Sequence, residues 1–162
     1  MTTLTIADLA DERISGSRIL VRVDFNVPLS ESGEITDDTR IVRSLPTLSY
    51  LLERGGRVVL MSHLGRPGGK ADPSLSLEPV SQHLGELLSG PVRFSPHLVG
   101  PDAREAVDRL QDGEVLLLEN TRFHPGEKAN DSELSESLAD LGDLFVARID
   151  ANLAVIHRPG IL

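Results

Sequence analysis

The run Arg18-Ile-Leu-Val-Arg-Val-Asp24 is rich in β-prone apolar residues and alternates with polar ones over 21–24, so the spacing predicts a strand over 18–24. Phe25-Asn-Val-Pro-Leu29 leaves it as a loop, because Pro28 lacks the N–H that a ladder needs. A helical period then takes over, with Ile41, Leu45, Leu48 and Leu52 on one face. Thr36 is placed to cap this helix, Asp37 and Asp38 to sit in its first turn, and Gly55-Gly56 to end it. Pro46 inside the pattern predicts a kink or a break. Further strands are predicted over 57–61, 91–94, 115–118 and 143–146. Further helices run from Leu77 to Leu88 with Pro79 in the first turn, from Gly100-Pro101 to Leu110, and from Asp131 to Leu141. Val115-Leu-Leu-Leu118 is apolar at every position, as strands buried on both faces of a parallel sheet are.

Strand and helix therefore alternate along the chain. That pattern predicts an α/β domain: a doubly wound parallel sheet with right-handed crossovers, in three α/β/α layers. The 162 residues suffice for one such domain with a real core. Aromatic residues make up only 3%, so that core must be built from Leu, Val, Ile and Ala. There is no cysteine, hence no disulfide and no thiolate metal site.

The formal net charge is −9, which argues against a broad nucleic-acid or anionic-membrane footprint. Any bound anion must be held by a few well-placed cations against the average field. No apolar run approaches the roughly 18 residues needed to span a bilayer. The segment MTTLTIADLADERISGSR lacks a basic stretch followed by an apolar one, so no secretory signal is expected and a cytoplasmic location is.

In open α/β sheets, ligands bind beyond the carboxyl ends of the strands. The residues that follow the predicted strands are therefore the candidates. The first strand is followed by Asp24 and Asn26, the second by His63 and Arg66, and the fourth by Asn120, Arg122 and His124. Arg40 lies in the first turn of the first long helix. A cation there opposes the helix dipole by roughly 0.3–1 kcal/mol, a cost that a bound anion would reverse. Taken singly, each has an ordinary reading as a turn residue, a structural histidine or a solvated arginine. Taken together they predict a site for a small, strongly anionic molecule with hydroxyls: guanidinium forks match carboxylate and phosphate, and Asp24 and Asn26 suit hydroxyl groups.

Gly65-Arg-Pro-Gly-Gly-Lys70 is not a nucleotide phosphate loop. Its glycines are spaced too closely for G-x-x-x-x-G-K-[ST], and Ala71 stands where the magnesium-binding hydroxyl would be. Gly68-Gly69 then reads as flexible surface backbone. Glu119, Glu127 and Lys128 read as solvated. The histidines lack metal-ligand spacing, no G-x-S-x-G elbow occurs, and a receiver-type phosphoacceptor site fails because no aspartate ends the middle strand.

The runs VRVDFNVPL (21–29), ITDDTRI (35–41), SLPTLSYLLERGGRVVLMSHLGRPGG (44–69) and LLLENTRFHPGE (116–127) resemble phosphoglycerate kinase over residues 4–146. The resemblance implies a glycolytic phosphotransferase, moving the acyl phosphate of 1,3-bisphosphoglycerate to ADP to give 3-phosphoglycerate and ATP. It implies two Rossmann-like domains and a usually monomeric enzyme. The N-terminal domain holds the triose, and the C-terminal one holds ATP or ADP with Mg2+. By motif, Asp24 and Asn26 would bind the glycerate hydroxyl and carboxylate end. His63, Arg66 and Arg122 would hold the triose anion, and Arg40 would stabilise the transferring phosphoryl as the catalytic residue. No nucleotide or metal site is then expected in this chain.

After LGDLFV the family continues N-D-A-F-G-T-A-H-R-A-H, whereas this chain reads ARIDANLAVIHRPGIL. Residues 147–162 are accordingly read as an atypical tail, and no role is carried to Arg158. A frameshift, a truncation and a fusion scar all give such a switch. The reading is of a partial N-terminal domain over 1–146 without the nucleotide domain, its sheet incomplete at the C-terminal end. Marginal stability and very weak or absent kinase activity are expected for the chain alone, as an inactive fragment or a non-catalytic anion-binding module.

Overall fold

The computed structural model describes residues 5–129, 131–147 and 155–156. After a short turn of helix, α1 (Asp11–Ile14), the elements alternate: β1 (Arg18–Arg22), α2 (Thr39–Glu53), β2 (Arg57–Met61), α3 (Glu78–Leu88), β3 (Val92–Ser95), α4 (Pro101–Asp108), β4 (Val115–Leu118), α5 (Ser132–Ala139), β5 (Leu144–Val146) and β6 (Val155–Ile156). The sheet order is β3-β4-β2-β1-β5-β6. All pairings among β1 to β5 are parallel, as predicted.

The period of two along each strand sorts side chains into two cores. Ile19, Val21, Val58, Leu60, Val115, Leu117, Leu144 and Val146 face one side, with Ile41, Leu48 and Leu51 of α2 and Val80 and Leu84 of α3. Leu20, Val59, Met61, Leu116, Leu118 and Phe145 face the other, with Val107 of α4 and Leu134 and Leu138 of α5. The register places Leu20 beside Val59 and Val59 beside Leu116, so each core is continuous across the central strands. This is the three-layer α/β/α arrangement, and it explains why β4 is apolar throughout.

Three local expectations change. The helix predicted from Thr36 begins at Thr39, because the Thr36 backbone N–H and hydroxyl both donate to the Pro28 carbonyl (3.0 and 3.2 Å). Asp37 then takes the turn, accepting from the Thr39 amide (2.9 Å) and hydroxyl (2.6 Å). Pro46 does not break α2. It and Val42 lie on the exposed side, so the carbonyl that Pro46 cannot bond, that of Val42, belongs to an exposed residue. Finally, a short strand absent from the sequence reading, β6, pairs antiparallel with β5 through Phe145–Ile156 and Val146–Val155. It falls in the segment read as an atypical tail. His157 and Arg158 lie outside the described residues.

Candidate functional site

Strands β4, β2 and β1 are neighbours, so the loops leaving their carboxyl ends are neighbours too. The chain stitches them together. The Phe25 amide donates to Ser62 Oγ (2.9 Å), and the Thr121 amide donates to the Ser62 carbonyl (3.0 Å). The Gly65 amide donates to Asn26 Oδ1 (2.9 Å), while Arg122 Nη1 donates to the Gly65 carbonyl (3.2 Å). Gly65 has φ +64°, a left-handed conformation that favours glycine, and a Cβ there would also displace the end of the Leu75 side chain, 2.8 Å away. The run that follows β2 is thus pinned from both sides. Gly69, expected to be flexible surface backbone, donates its amide to the Arg122 carbonyl (3.1 Å) and packs on Pro125.

Beneath these loops sits a polar knot. Asn120 is fully buried; its Nδ2 donates to the carbonyls of Leu64 (2.7 Å) and Leu75 (3.0 Å), and its Oδ1 accepts from the amides of Leu64 (3.2 Å) and Arg122 (3.0 Å). Glu119, expected to be solvated, is buried instead. Its carboxylate accepts from Ser76 Oγ (2.7 Å), the Leu77 amide (2.9 Å) and the Asn120 amide (2.8 Å), at the N-terminus of α3 where negative charge is favoured. Glu127 is also largely covered, with a side chain 12% exposed. Nothing in the hydrophobic pattern marks either acid, since both follow a strand as loop residues do.

The predicted residues fall into two groups. Arg40 reaches back over the β1 loop: its Nη1 donates to the Asn26 carbonyl (2.7 Å) and to Asp24 Oδ1 (3.3 Å), and both side chains of that ion pair are about half exposed. The Asn26 amide donates to the same Asp24 oxygen (3.2 Å). Arg40 also lines an open cleft of about 570 Å3 with Asn26, Asp37, Thr39 and Arg43. The Thr39 hydroxyl and amide hold Asp37 below the usual carboxylate range. The second group is His63 with Arg122. Burial, and then the Arg122 guanidinium, push the His63 imidazole below its ordinary value, which favours the neutral ring. Arg66 is exposed and makes no hydrogen bond or ion pair among the described residues. His124 is turned inward, its Nδ1 accepting from the Gly126 amide (3.0 Å). Two cations beside these groups escaped the sequence reading. Arg43 follows Arg40 by one helical turn, a spacing that would have found it. Arg22, at the end of β1, shares a small cavity with His63 and reads in sequence as a strand residue. Among the described residues no His, Cys, Asp or Glu cluster could hold a metal ion, and no helix is long and apolar enough to cross a membrane.

A family model for phosphoglycerate kinase matches residues 9–159, extending beyond Val146. A phosphoglycerate kinase of Chlorobium luteolum is 55% identical over 138 residues, which cover 85% of this chain and 35% of that relative. One of Pseudothermotoga lettingae is 49% identical over 146 residues, 90% of this chain and 36% of the relative. A solved phosphoglycerate kinase from Coxiella burnetii superposes with a TM-score of 0.77 at 35% identity, over 89% of this chain and 34% of that one. The chain spans about a third of the length of the curated relatives it matches.

Proposed function

Since the chain belongs to the phosphoglycerate kinase family, we propose that it supplies the triose-binding half of that reaction and holds 3-phosphoglycerate at the carboxyl ends of β1, β2 and β4. Arg122, Arg66 and His63 grip the anionic groups. Asp24 and Asn26 take the hydroxyl and carboxylate end. Arg40 stands nearest the transferring phosphoryl and stabilises its developing charge. Phosphoryl transfer depends mainly on positioning and electrostatic stabilisation, and a fixed guanidinium supplies both. The observation that carries the reading is the double pinning of Gly65, by Asn26 from one side and Arg122 from the other. It joins three loops, each bearing anion-binding groups, into one unit.

Magnesium ATP or ADP is assigned to none of these residues, so turnover is proposed only in combination with a nucleotide-binding partner domain. Anion binding without turnover is proposed for this chain by itself, in the cytoplasm and within glycolysis. Calorimetric titration with 3-phosphoglycerate tests it. Arg40→Ala removes one charge-assisted contact of about 1.5–3 kcal/mol, so affinity falls roughly ten- to hundred-fold. Heat unchanged by the substitution removes the specific site. A coupled assay with a separately expressed nucleotide-binding domain tests turnover, and no rate in its presence ends the catalytic part of the reading.

A further inference from the structure

Arg122 presents its guanidinium edges unequally. Nη1 is committed to the Gly65 carbonyl. Nε is buried and makes no hydrogen bond among the described residues, and the group facing it is the Glu127 carboxylate, with Oε2 3.5 Å away. Nη2 makes no hydrogen bond among the described residues. A buried N–H of a permanently charged group is costly to leave without a counter-charge, and the Glu127 carboxylate supplies one on that edge. Glu127 is itself mostly covered. It lines a cavity of about 10 Å3 with Arg22, Ser62, His63, Thr121 and Leu138, room for about one water and none for a phosphorylated acid. The carboxylate thus sits on the Nε edge of Arg122 and beside a space too small for such an anion.

We propose that Glu127 is a positioning residue: by pairing with the buried Nε it locks the Arg122 plane so that Nη2 is presented outward to the substrate anion. This rests on the triose-binding reading given above. It differs from a competing role, in which Glu127 would neutralise the cluster and have to be displaced.

Titration with 3-phosphoglycerate on the whole chain separates these. Glu127→Ala weakens binding roughly tenfold. Glu127→Gln, which keeps an acceptor oxygen and the shape, falls between it and the parent. In an Arg122→Ala background, Glu127→Ala changes nothing further, because its effect passes through Arg122. In parallel, the Arg122 Nε–H resonance exchanges slowly with water in the parent and rapidly in Glu127→Ala, a readout independent of ligand. Unchanged or tighter binding in Glu127→Ala overturns the proposal, as does an equal loss in the Arg122→Ala background. A parent chain that binds no 3-phosphoglycerate while its Nε–H stays protected overturns the triose-binding reading, and with it the use assigned to Arg122. Parent binding with an unprotected Nε–H overturns only the role of Glu127.

Discussion

His63 shows how one side chain reports on its site. Covering the imidazole disfavours its charged form, and the guanidinium of Arg122 disfavours it further, while Asp24 and Glu127 oppose them weakly. The folded-state pKa thus lies below the ordinary 6.5, so the unfolded chain binds the proton more readily. The sign follows: His63 costs no stability above pH 6.5 and destabilises the fold progressively as pH falls below it. An NMR titration of the His63 ring should give a midpoint under 6.5 in the free chain, moving upward when 3-phosphoglycerate is added, because a nearby anion favours the imidazolium. A free-chain midpoint at or above 6.5 contradicts both the burial and the cation. The residues legible in sequence at this scale are those whose chemistry is unusual for their place. Arg40 is one, a cation at the positive end of a helix. Glu119 and Glu127 are not, because burial of an acid depends on partners distant in the chain, such as Ser76 and Leu77 for Glu119.

Helix α2 and the three loops make opposite predictions at the level of elements. Pro46 leaves one backbone acceptor of α2 without its intrahelical donor, on the exposed face. Pro46→Ala should restore that bond and a favourable helix propensity, raising stability by about 1–2 kcal/mol in urea unfolding, less than the full helix-interior penalty because proline also stiffens the unfolded chain. No gain would mean that the helix has already adapted fully to the ring. Asn120 works the other way. Its amide closes four backbone groups of three separate segments, in a fully buried site. Asn120→Ala should cost about 2–4 kcal/mol and weaken 3-phosphoglycerate binding as well, since it frees the Leu64 backbone beside Gly65 and the Arg122 amide. Loss of stability with unchanged affinity would detach the knot from the site above it. Element type was legible from periodicity in each of these regions. Element ends were less so: the contact of Thr36 with Pro28, which delays α2, joins residues on either side of a turn that no period describes.

For the molecule as a whole, β4 tests the layered arrangement. Leu116 and Leu117 are adjacent in sequence and belong to different cores. If both faces are equally packed, Leu116→Ala and Leu117→Ala should each lower stability by about 2–5 kcal/mol. A tolerated change at either would mean that one helical layer is loosely held. The alternation of short apolar runs with helical periods determined by itself that this chain is an α/β domain with a parallel sheet, because side-chain period and burial on two faces are properties of neighbouring residues. The family-specific runs likewise marked which loops carry the cationic and polar groups proposed here to hold an anion. Only the tertiary structure decided how those groups meet. It set β4, β2 and β1 side by side, brought Asn26 and Arg122 to opposite sides of Gly65, and engaged His124 with the Gly126 amide while leaving Arg66 exposed, without a hydrogen bond or ion pair among the described residues. It also buried Glu119 beneath the loops and brought the Glu127 carboxylate to 3.5 Å from Arg122 Nε. Such placements join residues far apart in the chain, and their energies come from desolvation and hydrogen-bond geometry, which depend on what surrounds a group and not on what precedes it.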